Sequence, residues 1–312
     1  MVRSIIEDVK QEFNRGNMVT RIIIVNLAVF VFINVVKILL YLSNGGFTPE
    51  FYFTFRNFFC ISSDWQHNLS HPWGIITSMF LHEGFWHILW NMLFLYWFGR
   101  IVGDFIGNQR VLPLYLLGGI CGGIIYFFSA NLLPFGGGGI GYALGASAAV
   151  MAIVVASGVI SPDYIMRLLF LGDVKLKYIV AVLVFLDLIG VAGNYNTGGH
   201  FAHLGGAFFG WLFVYQLRNG NDWSVPVNKL LHNISSFFQN LFSNKSNRPK
   251  VIYKNPNLKK KWHQRSSGHS VSDKENTSHQ EKLDAILEKI KQSGYESLTA
   301  EEKEFLFDAS KK

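Results

Sequence analysis

The stretch IGYALGASAAVMAIVVASGVI, residues 140–160, carries no charged side chain over its whole length. A helix needs roughly 20 mostly apolar residues to cross a bilayer, so this stretch is typical of a transmembrane helix. Five more segments share this character, and the sequence therefore predicts an all-α membrane protein with a bundle of six transmembrane helices. The predicted spans are Arg21–Leu42, Ile75–Phe98 (or a shifted span that begins near Gly84), Val111–Ala130, Ile140–Ile160, Tyr178–Ala192 and His200–Leu217.

The composition agrees with a membrane-embedded first part and a water-facing tail. Of the 312 residues 50% are hydrophobic, and the net charge of +7 comes mainly from residues after 218. The sequence predicts five parts: an N-terminal amphipathic cytoplasmic segment at 1–18, the six-helix core at 19–218, an interfacial amphipathic helix at 219–245, a basic and polar linker, predicted to be disordered, at 246–280, and a small helical hairpin at 281–312.

Two local patterns characterise the tail. Residues 250–265 contain six Lys or Arg and no acid, which fits either a solvated linker or a segment attracted to anionic lipid. In the terminal hairpin Gly294 interrupts the helical pattern, and Thr299 and Glu302 have the spacing of a capping box for the second helix. We assign no chemistry to the hairpin.

The orientation follows from the basic residues in the short connections. Lys and Arg cluster in the N-terminal segment and in the second and fourth connections, whereas the opposite side carries only Arg56. By the positive-inside rule both termini face the cytoplasm. We therefore expect a multi-pass protein of the inner (plasma) membrane, with its functional site opening to the outer side.

Ser147 lies among the smallest side chains of the fourth span, in the sequence Gly145-Ala146-Ser147-Ala148. Taken alone, a serine in such a place is more typical of close helix packing than of catalysis. It can also be a nucleophile held where water is scarce. The rest of the chain has to decide between these two interpretations.

Potential partners for Ser147 occur at a similar predicted depth. With a rise of about 1.5 Å per residue, Ser147 lies about 10 Å below the outer surface, His203 about 6 Å, and His87 and Asn91 at roughly 5 and 10 Å. Polar groups inside a bilayer are costly, so their convergence in the outer third indicates a functional site.

Small residues give a way to bring the serine and the histidine together. Gly206 and Gly210 have GxxxG spacing and share the helical face of His203. Gly145 and the alanines beside Ser147 offer a matching small surface on the fourth span. We expect the fourth and sixth spans to meet there and to place Ser147 within hydrogen-bonding reach of His203.

The sequence offers weaker support for a third catalytic group or a metal. Asp187 is the one carboxylate that looks buried, and we expect it to bond to a neighbouring helix or to face a water-filled cavity rather than to complete a triad. The pair His82 and His87 lacks the i, i+4 spacing of a zinc site, and no carboxylate accompanies the pair His200 and His203. We therefore expect no metal and no other cofactor.

Three motifs in order resemble one family. They are His82-x4-His87-x3-Asn91 in the second span, Gly-Ala-Ser at Ser147 in the fourth, and Ala-His-Leu-Gly-Gly with His203 in the sixth. Over about residues 20–217 the chain resembles the rhomboid intramembrane serine proteases, of the bacterial type with a C-terminal cytoplasmic extension.

The resemblance implies a role for each matching residue. Ser147 would attack the scissile carbonyl, and His203 would act as general base and then general acid, without an acidic third member. The side chains of His87 and Asn91 and the backbone N–H of Ser147 would form the oxyanion hole. His82 and His200 would be structural or pocket-lining.

The chain departs from the family pattern at three places. Ala148 replaces a frequent Gly, and Met151 stands where many members have a Tyr that stacks on the catalytic histidine. Trp73-Gly74 replaces a frequent Trp-Arg in the first loop. A sulfur–aromatic contact of Met151 could substitute for the stacking.

These observations predict an enzyme that hydrolyses peptide bonds in or near transmembrane helices of membrane-protein substrates. A substrate helix must unwind locally, because helical backbone is otherwise hydrogen-bonded. The expected partners are such substrates and the lipid bilayer, and no nucleic acid. Two alternatives stay open: an inactive relative that binds transmembrane clients, and a channel or transporter, although the inverted repeats of a transporter are not visible.

Overall fold

The computed structural model describes residues 2–133, 140–168, 172–193, 196–242, 282–291 and 294–309. The predicted linker at 246–280 lies outside the described residues. The chain forms two compact units, residues 1–244 and 245–312.

Helices dominate both units. In the first unit they are α1 (Val2–Arg15), α2 (Met18–Ser43), α3 (Glu50–Asn57), α4 (Trp65–Ser70), α5 (Gly74–Thr77), α6 (Phe85–Ile106), α7 (Val111–Leu132), α8 (Ser147–Ile160), α9 (Leu176–Val191), α10 (Thr197–Arg218) and α11 (Ser224–Phe242). In the second unit they are α12 (282–291) and α13 (Ala300–Ala309). Single 3₁₀ turns occur at Ser78–Phe80, Asn108–Arg110 and Tyr295–Ser297.

In the part of the chain that the structure describes, two antiparallel strand pairs interrupt the helical pattern, and the sequence did not predict them. In the first pair, β1 (Ile61–Ser62) joins β2 (Tyr142–Ala143) and so ties the first loop to the segment before α8. In the second pair, β3 (Ile165–Leu168) and β4 (Gly172–Lys175) form a hairpin between α8 and α9.

Each predicted span overlaps a helix, and the starts of the second and fourth helices need comment. The second span takes its shifted form, since α6 begins at Phe85. The fourth helix begins at Ser147 rather than Ile140, because β2 is extended and Gly145 has a φ of +122° that a helix cannot contain. The depth argument for Ser147 was therefore wrong in its premise: the serine is the first residue of α8.

The first unit is a membrane-type helical bundle. Among the described residues, two helices, Met18–Ser43 and Asn108–Leu132, are long and apolar enough to cross a bilayer, judged by length and composition alone. The count of six transmembrane helices stays a prediction. Large apolar side chains on α2 point away from the core, with Phe32, Leu39 and Leu42 59, 61 and 67% exposed. Such a surface suits contact with lipid chains.

The helix α8 forms the centre of the bundle. Ala152, Ile153 and Val154 are fully buried there, and α6, α7, α9 and α10 pack around them. A Cβ added at Gly206 would lie 2.0 Å from the carbonyl oxygen of Ala148, and one at Gly210 would lie 2.1 Å from that of Ala152. The predicted close contact of the fourth and sixth spans is confirmed.

Gly145 does not belong to that contact. A Cβ there would lie 2.6 Å from Cε1 of His87, so Gly145 makes room for the imidazole on α6. The alanines Ala148 and Ala152 provide the small surface that meets α10.

The predicted amphipathic segments are helices. In α1 the side chains of Val9 and Phe13 are 45 and 40% exposed, and in α11 Leu230, Phe237 and Leu241 are 59 to 64% exposed. These apolar faces suit the membrane interface, and their contact with lipid stays a prediction.

The second unit contains the predicted capping box. The N–H of Thr299 donates to Oε2 of Glu302 at 2.8 Å, and the N–H of Glu302 donates to Oγ1 of Thr299 at 3.3 Å. Nζ of Lys289 on α12 lies 2.8 Å from Glu302 and joins the two helices. Gly294 has a φ of +78°, in line with its predicted role as a helix breaker.

Candidate active site

The backbone around Ser147 is fixed by the segment that precedes α6. The N–H of Gly145 donates to the carbonyl of Ser78 at 2.8 Å, and the N–H of Ala146 donates to Nε2 of the fully buried His82 at 3.2 Å. The side chain of His82 therefore supports the loop that carries the serine. This agrees with the structural role that the sequence suggested.

Ser147 and His203 are in direct contact. Oγ of Ser147 lies 2.7 Å from Nε2 of His203. The serine comes from the N-terminus of α8 and the histidine from the second turn of α10, and the glycine contacts hold these helices together. The predicted proximity is confirmed.

Asp187 bonds to the neighbouring helix α10, as expected, but it corrects two other expectations. Its Oδ1 lies 2.8 Å from Nδ1 of His203 and 2.8 Å from Nδ1 of His200. A carboxylate therefore does accompany the two histidines of α10, and the side chains form a Ser–His–Asp chain rather than an isolated dyad. The sequence shows an acid in an apolar helix, but only the packing of α9 on α10 reveals which residues it faces.

This arrangement selects one tautomer of His203. An ionised carboxylate only accepts hydrogen bonds, so Nδ1 of His203 must donate to Asp187. In the neutral imidazole Nε2 then carries the lone pair and accepts the hydroxyl proton of Ser147. The geometry suits activation of the hydroxyl as a nucleophile.

The three candidate oxyanion donors border the same space. His87 stacks on Gly145, and the side-chain amide of Asn91 donates to the carbonyl of His87 at 2.8 Å. That bond uses one of the two amide protons of Asn91 and leaves the other for a ligand. The N–H of Ser147 is in the first turn of α8 and has no acceptor within the helix.

A cavity of about 1050 Å³ contains the site. Its polar part is formed by Ser147, His203, Asp187, His87 and Asn91, and Met151 lines it as well. Its apolar wall includes Trp86 and Trp90 of α6 and Leu183 and Leu186 of α9. The polar side chains thus share one cavity with apolar side chains from two helices.

Gly190 is a residue that the sequence analysis did not single out. A Cβ at Gly190 would lie 2.4 Å from Cε1 and 2.5 Å from Nε2 of His200, so this position on α9 seats the imidazole ring. Nothing in its local sequence indicates this, because the contact is with another helix.

Two family models match the chain. Residues 69–220 match the Rhomboid domain, which includes Ser147, His203, His87, Asn91 and Asp187. Residues 272–312 match a family of unknown function, DUF6576.

Several curated proteins are similar to the central part of the chain. RHOMBOID-like protein 12, mitochondrial, from Arabidopsis thaliana is 33% identical over 157 residues, 47% of this chain and 46% of the relative. Presenilin-associated rhomboid-like protein A, mitochondrial, from Danio rerio is 30% identical over 144 residues, which are 45% of this chain and 37% of the relative. Rhomboid protein 1, mitochondrial, from Saccharomyces cerevisiae is 30% identical over 146 residues, which are 46% of this chain and 41% of the relative.

The chain thus spans less than half the length of each of these relatives. All three carry mitochondrial names, so they support the family and give no support to the bacterial subtype that the sequence suggested.

Proposed function

The chain belongs to the rhomboid family, and we propose that it is an intramembrane serine endopeptidase that hydrolyses peptide bonds in or near transmembrane helices of membrane-protein substrates. The observation that carries the proposal is the 2.7 Å contact between Oγ of Ser147 and Nε2 of His203. Its location beside a cavity with an apolar wall supports a membrane-embedded substrate.

In the proposed mechanism Ser147 attacks the scissile carbonyl while His203 takes the hydroxyl proton. His203 then returns that proton to the leaving amine, and water hydrolyses the acyl-enzyme. Asp187 holds His203 in the productive tautomer and stabilises the imidazolium that forms, although it does not touch the substrate. This replaces the dyad that the sequence analysis favoured.

His87, Asn91 and the N–H of Ser147 are the proposed donors to the oxyanion. Donors that already point at the developing charge are more effective in a site that excludes water, and removing one costs about 3 kcal/mol. The position of His87 against Gly145, next to Ser147, supports this assignment.

The substrate is expected to approach through the lipid. Trp86, Trp90 and Leu186 line the cavity and are 68, 52 and 55% exposed. These apolar side chains suit contact with a transmembrane segment, whose cleaved region must leave its helical conformation to present a carbonyl. From the basic connections we propose that both termini face the cytoplasm. The proposed membrane is the plasma membrane.

The first test removes the nucleophile. Ser147→Ala should abolish both labelling by a fluorophosphonate probe and cleavage of a model transmembrane substrate by the purified protein. Ser157→Ala is the matched control, because Ser157 is a fully buried serine of the same helix that bonds only to the carbonyl of Val154. It should retain labelling and cleavage.

The same experiment separates the proposal from its alternatives. Cleavage by the Ser147→Ala protein at the rate of the unmodified protein would exclude the serine-protease mechanism. Capture of transmembrane segments without any cleavage by the unmodified protein would instead indicate a client-binding relative.

A further inference from the structure

Three metal-ligating side chains converge on one point at the back of the site. One ligand atom from each of Asp187, His200 and His203 lies within 4.8 Å of the other two. Both Nδ1 nitrogens are 2.8 Å from the same carboxylate oxygen, and the two imidazole rings are nearly perpendicular at 81°. Two imidazoles and a carboxylate are the ligand set of many three-residue zinc sites.

His200 has no part in the proposed hydrolysis. Its ring bonds to Asp187, whereas Ser147 bonds to His203, and Gly190 holds the ring in one place, because any Cβ there would collide with it. The side chains of His200, Asp187 and His203 are 25, 11 and 20% exposed. The last two line the cavity, so an ion can reach the cluster from that side.

We propose that Asp187, His200 and His203 bind Zn²⁺ through Oδ1, Nδ1 and Nδ1, and that the bound ion switches the protease off. Imidazole and carboxylate together favour a borderline ion such as Zn²⁺, whereas Mg²⁺ prefers oxygen ligands in an octahedron. The three donors are already close together, and they need only move around the ion.

The inhibition follows from the tautomer of His203. A metal on Nδ1 requires the lone pair of that atom, so the proton must be on Nε2 instead. The imidazole stays neutral and changes only its tautomer. Nε2 then donates to the oxygen of Ser147 and cannot accept its proton. This regulatory half of the proposal rests on the proposed function, while the binding half does not.

Binding is tested in the Ser147→Ala protein, where proteolysis plays no part. Titration of the full chain with Zn²⁺, followed by calorimetry, should show one ion bound at this site. His200→Gln in the same background keeps a hydrogen-bond donor near Asp187 but removes the imidazole, and should weaken that binding step by at least about tenfold. Any zinc held by His263, His269 or His279 of the tail is common to both proteins.

A spectroscopic measurement makes the test independent of stability. Co²⁺ in place of Zn²⁺ should give ligand-field absorption bands in the Ser147→Ala protein, and these bands should be absent in Ser147→Ala/His200→Gln at an unchanged melting temperature. Equal zinc affinity and equal cobalt spectra in the two proteins would overturn the metal site.

The regulatory half is tested with active protein. Zn²⁺ should inhibit cleavage by the unmodified chain, and Mg²⁺ should not. With inhibition of each protein measured against its own metal-free rate, His200→Gln should raise the half-inhibitory zinc concentration at least about tenfold above that of the unmodified chain. Equal zinc inhibition of both proteins would overturn this half. Absence of cleavage without metal would contradict the proposed function and leave the binding result intact.

Discussion

At the scale of single residues, the proposed role of Asp187 is exerted through its bond to His203. Its carboxylate lies in an apolar helix, where an unpaired charge would be costly, and two imidazole donors compensate that cost. The same bonds orient His203 toward Ser147. One carboxylate therefore meets a requirement of the fold and a requirement of the chemistry.

Replacing this carboxylate by an amide tests its role. We expect Asp187→Asn to lower kcat by about 10²-fold or more with little change in KM, because an amide N–H can face Nδ1 and stabilise the wrong tautomer. Fluorophosphonate labelling should slow by a similar factor and still reach the same final extent. The measurement is the labelling rate beside the melting temperature of both proteins.

A purely structural role would give a different result. It would reduce the final extent of labelling in proportion to the unfolded fraction and leave the rate of the folded molecules unchanged. Cleavage and labelling at the normal rate would show that His203 needs no acceptor at Nδ1.

The residue scale also shows what the sequence could reveal. Ser147 and His203 could be paired in advance, because small-residue spacing is a local pattern that predicts helix contact. The part of Asp187 depended on the rotation of α9 against α10, which no local pattern encodes. For the same reason the sequence did not predict that Asp187 lies beside His200, or that the His200 ring packs against Gly190.

At the scale of secondary-structure elements, the contact of α8 with α10 fixes the geometry of Ser147 and His203. Gly206 approaches the carbonyl of Ala148, one residue after the proposed nucleophile Ser147, and lies three residues after His203. The distance between Ser147 and His203 thus depends on a position where no side chain fits.

We expect Gly206→Ala to separate the two helices and to lower cleavage by about 10²-fold, because a misplacement of about 1 Å is enough for such a loss. The free energy of unfolding should fall by about 1–3 kcal/mol, as for other overpacked positions. Gly103→Ala on α6 is the control, since a Cβ there would make only ordinary contacts, with Val111 Cγ2 at 3.7 Å and with Asn108 at 4.0 Å.

Cleavage rates and thermal melting of the two variants would decide the matter. Normal activity of Gly206→Ala would show that the close approach is not needed for the Ser147–His203 contact. An equal loss in Gly103→Ala would show that the effect reflects added volume in any helix.

Element boundaries were harder to predict than element existence. Each span predicted from its apolar length overlaps a helix, yet the predicted start of α8 was wrong by seven residues. Residues 140–146 are uncharged like the helix that follows, and β2 pairs there with β1 from a distant part of the chain. The absence of charge therefore does not show where a loop ends and a helix begins.

At the scale of the whole first unit, the connections separate into two ends. The N–H of Met18 donates to Asn108 Oδ1 at 2.8 Å, and Asn228 donates to the carbonyl of Gln109 at 3.0 Å, so the starts of α2 and α11 lie beside the α6–α7 connection. At the other end the N–H of Ser63 donates to Gly141 at 2.9 Å, next to the loop that leads to Ser147.

The charges predict which end is inside. The end that contains Gln109 also carries Arg100, Arg110 and the basic N-terminal segment, so by the positive-inside rule it faces the cytoplasm. Gln66 is an exposed residue of the first loop, and Gln109 is an exposed residue of the α6–α7 connection. A membrane-impermeant maleimide added to intact cells should therefore label Gln66→Cys and not Gln109→Cys, while permeabilisation should make both reactive. The unmodified chain, in which Cys60 is fully buried, gives the background labelling. If only Gln109→Cys were labelled in intact cells, the predicted orientation would be wrong and the cavity of Ser147 would face the cytoplasm.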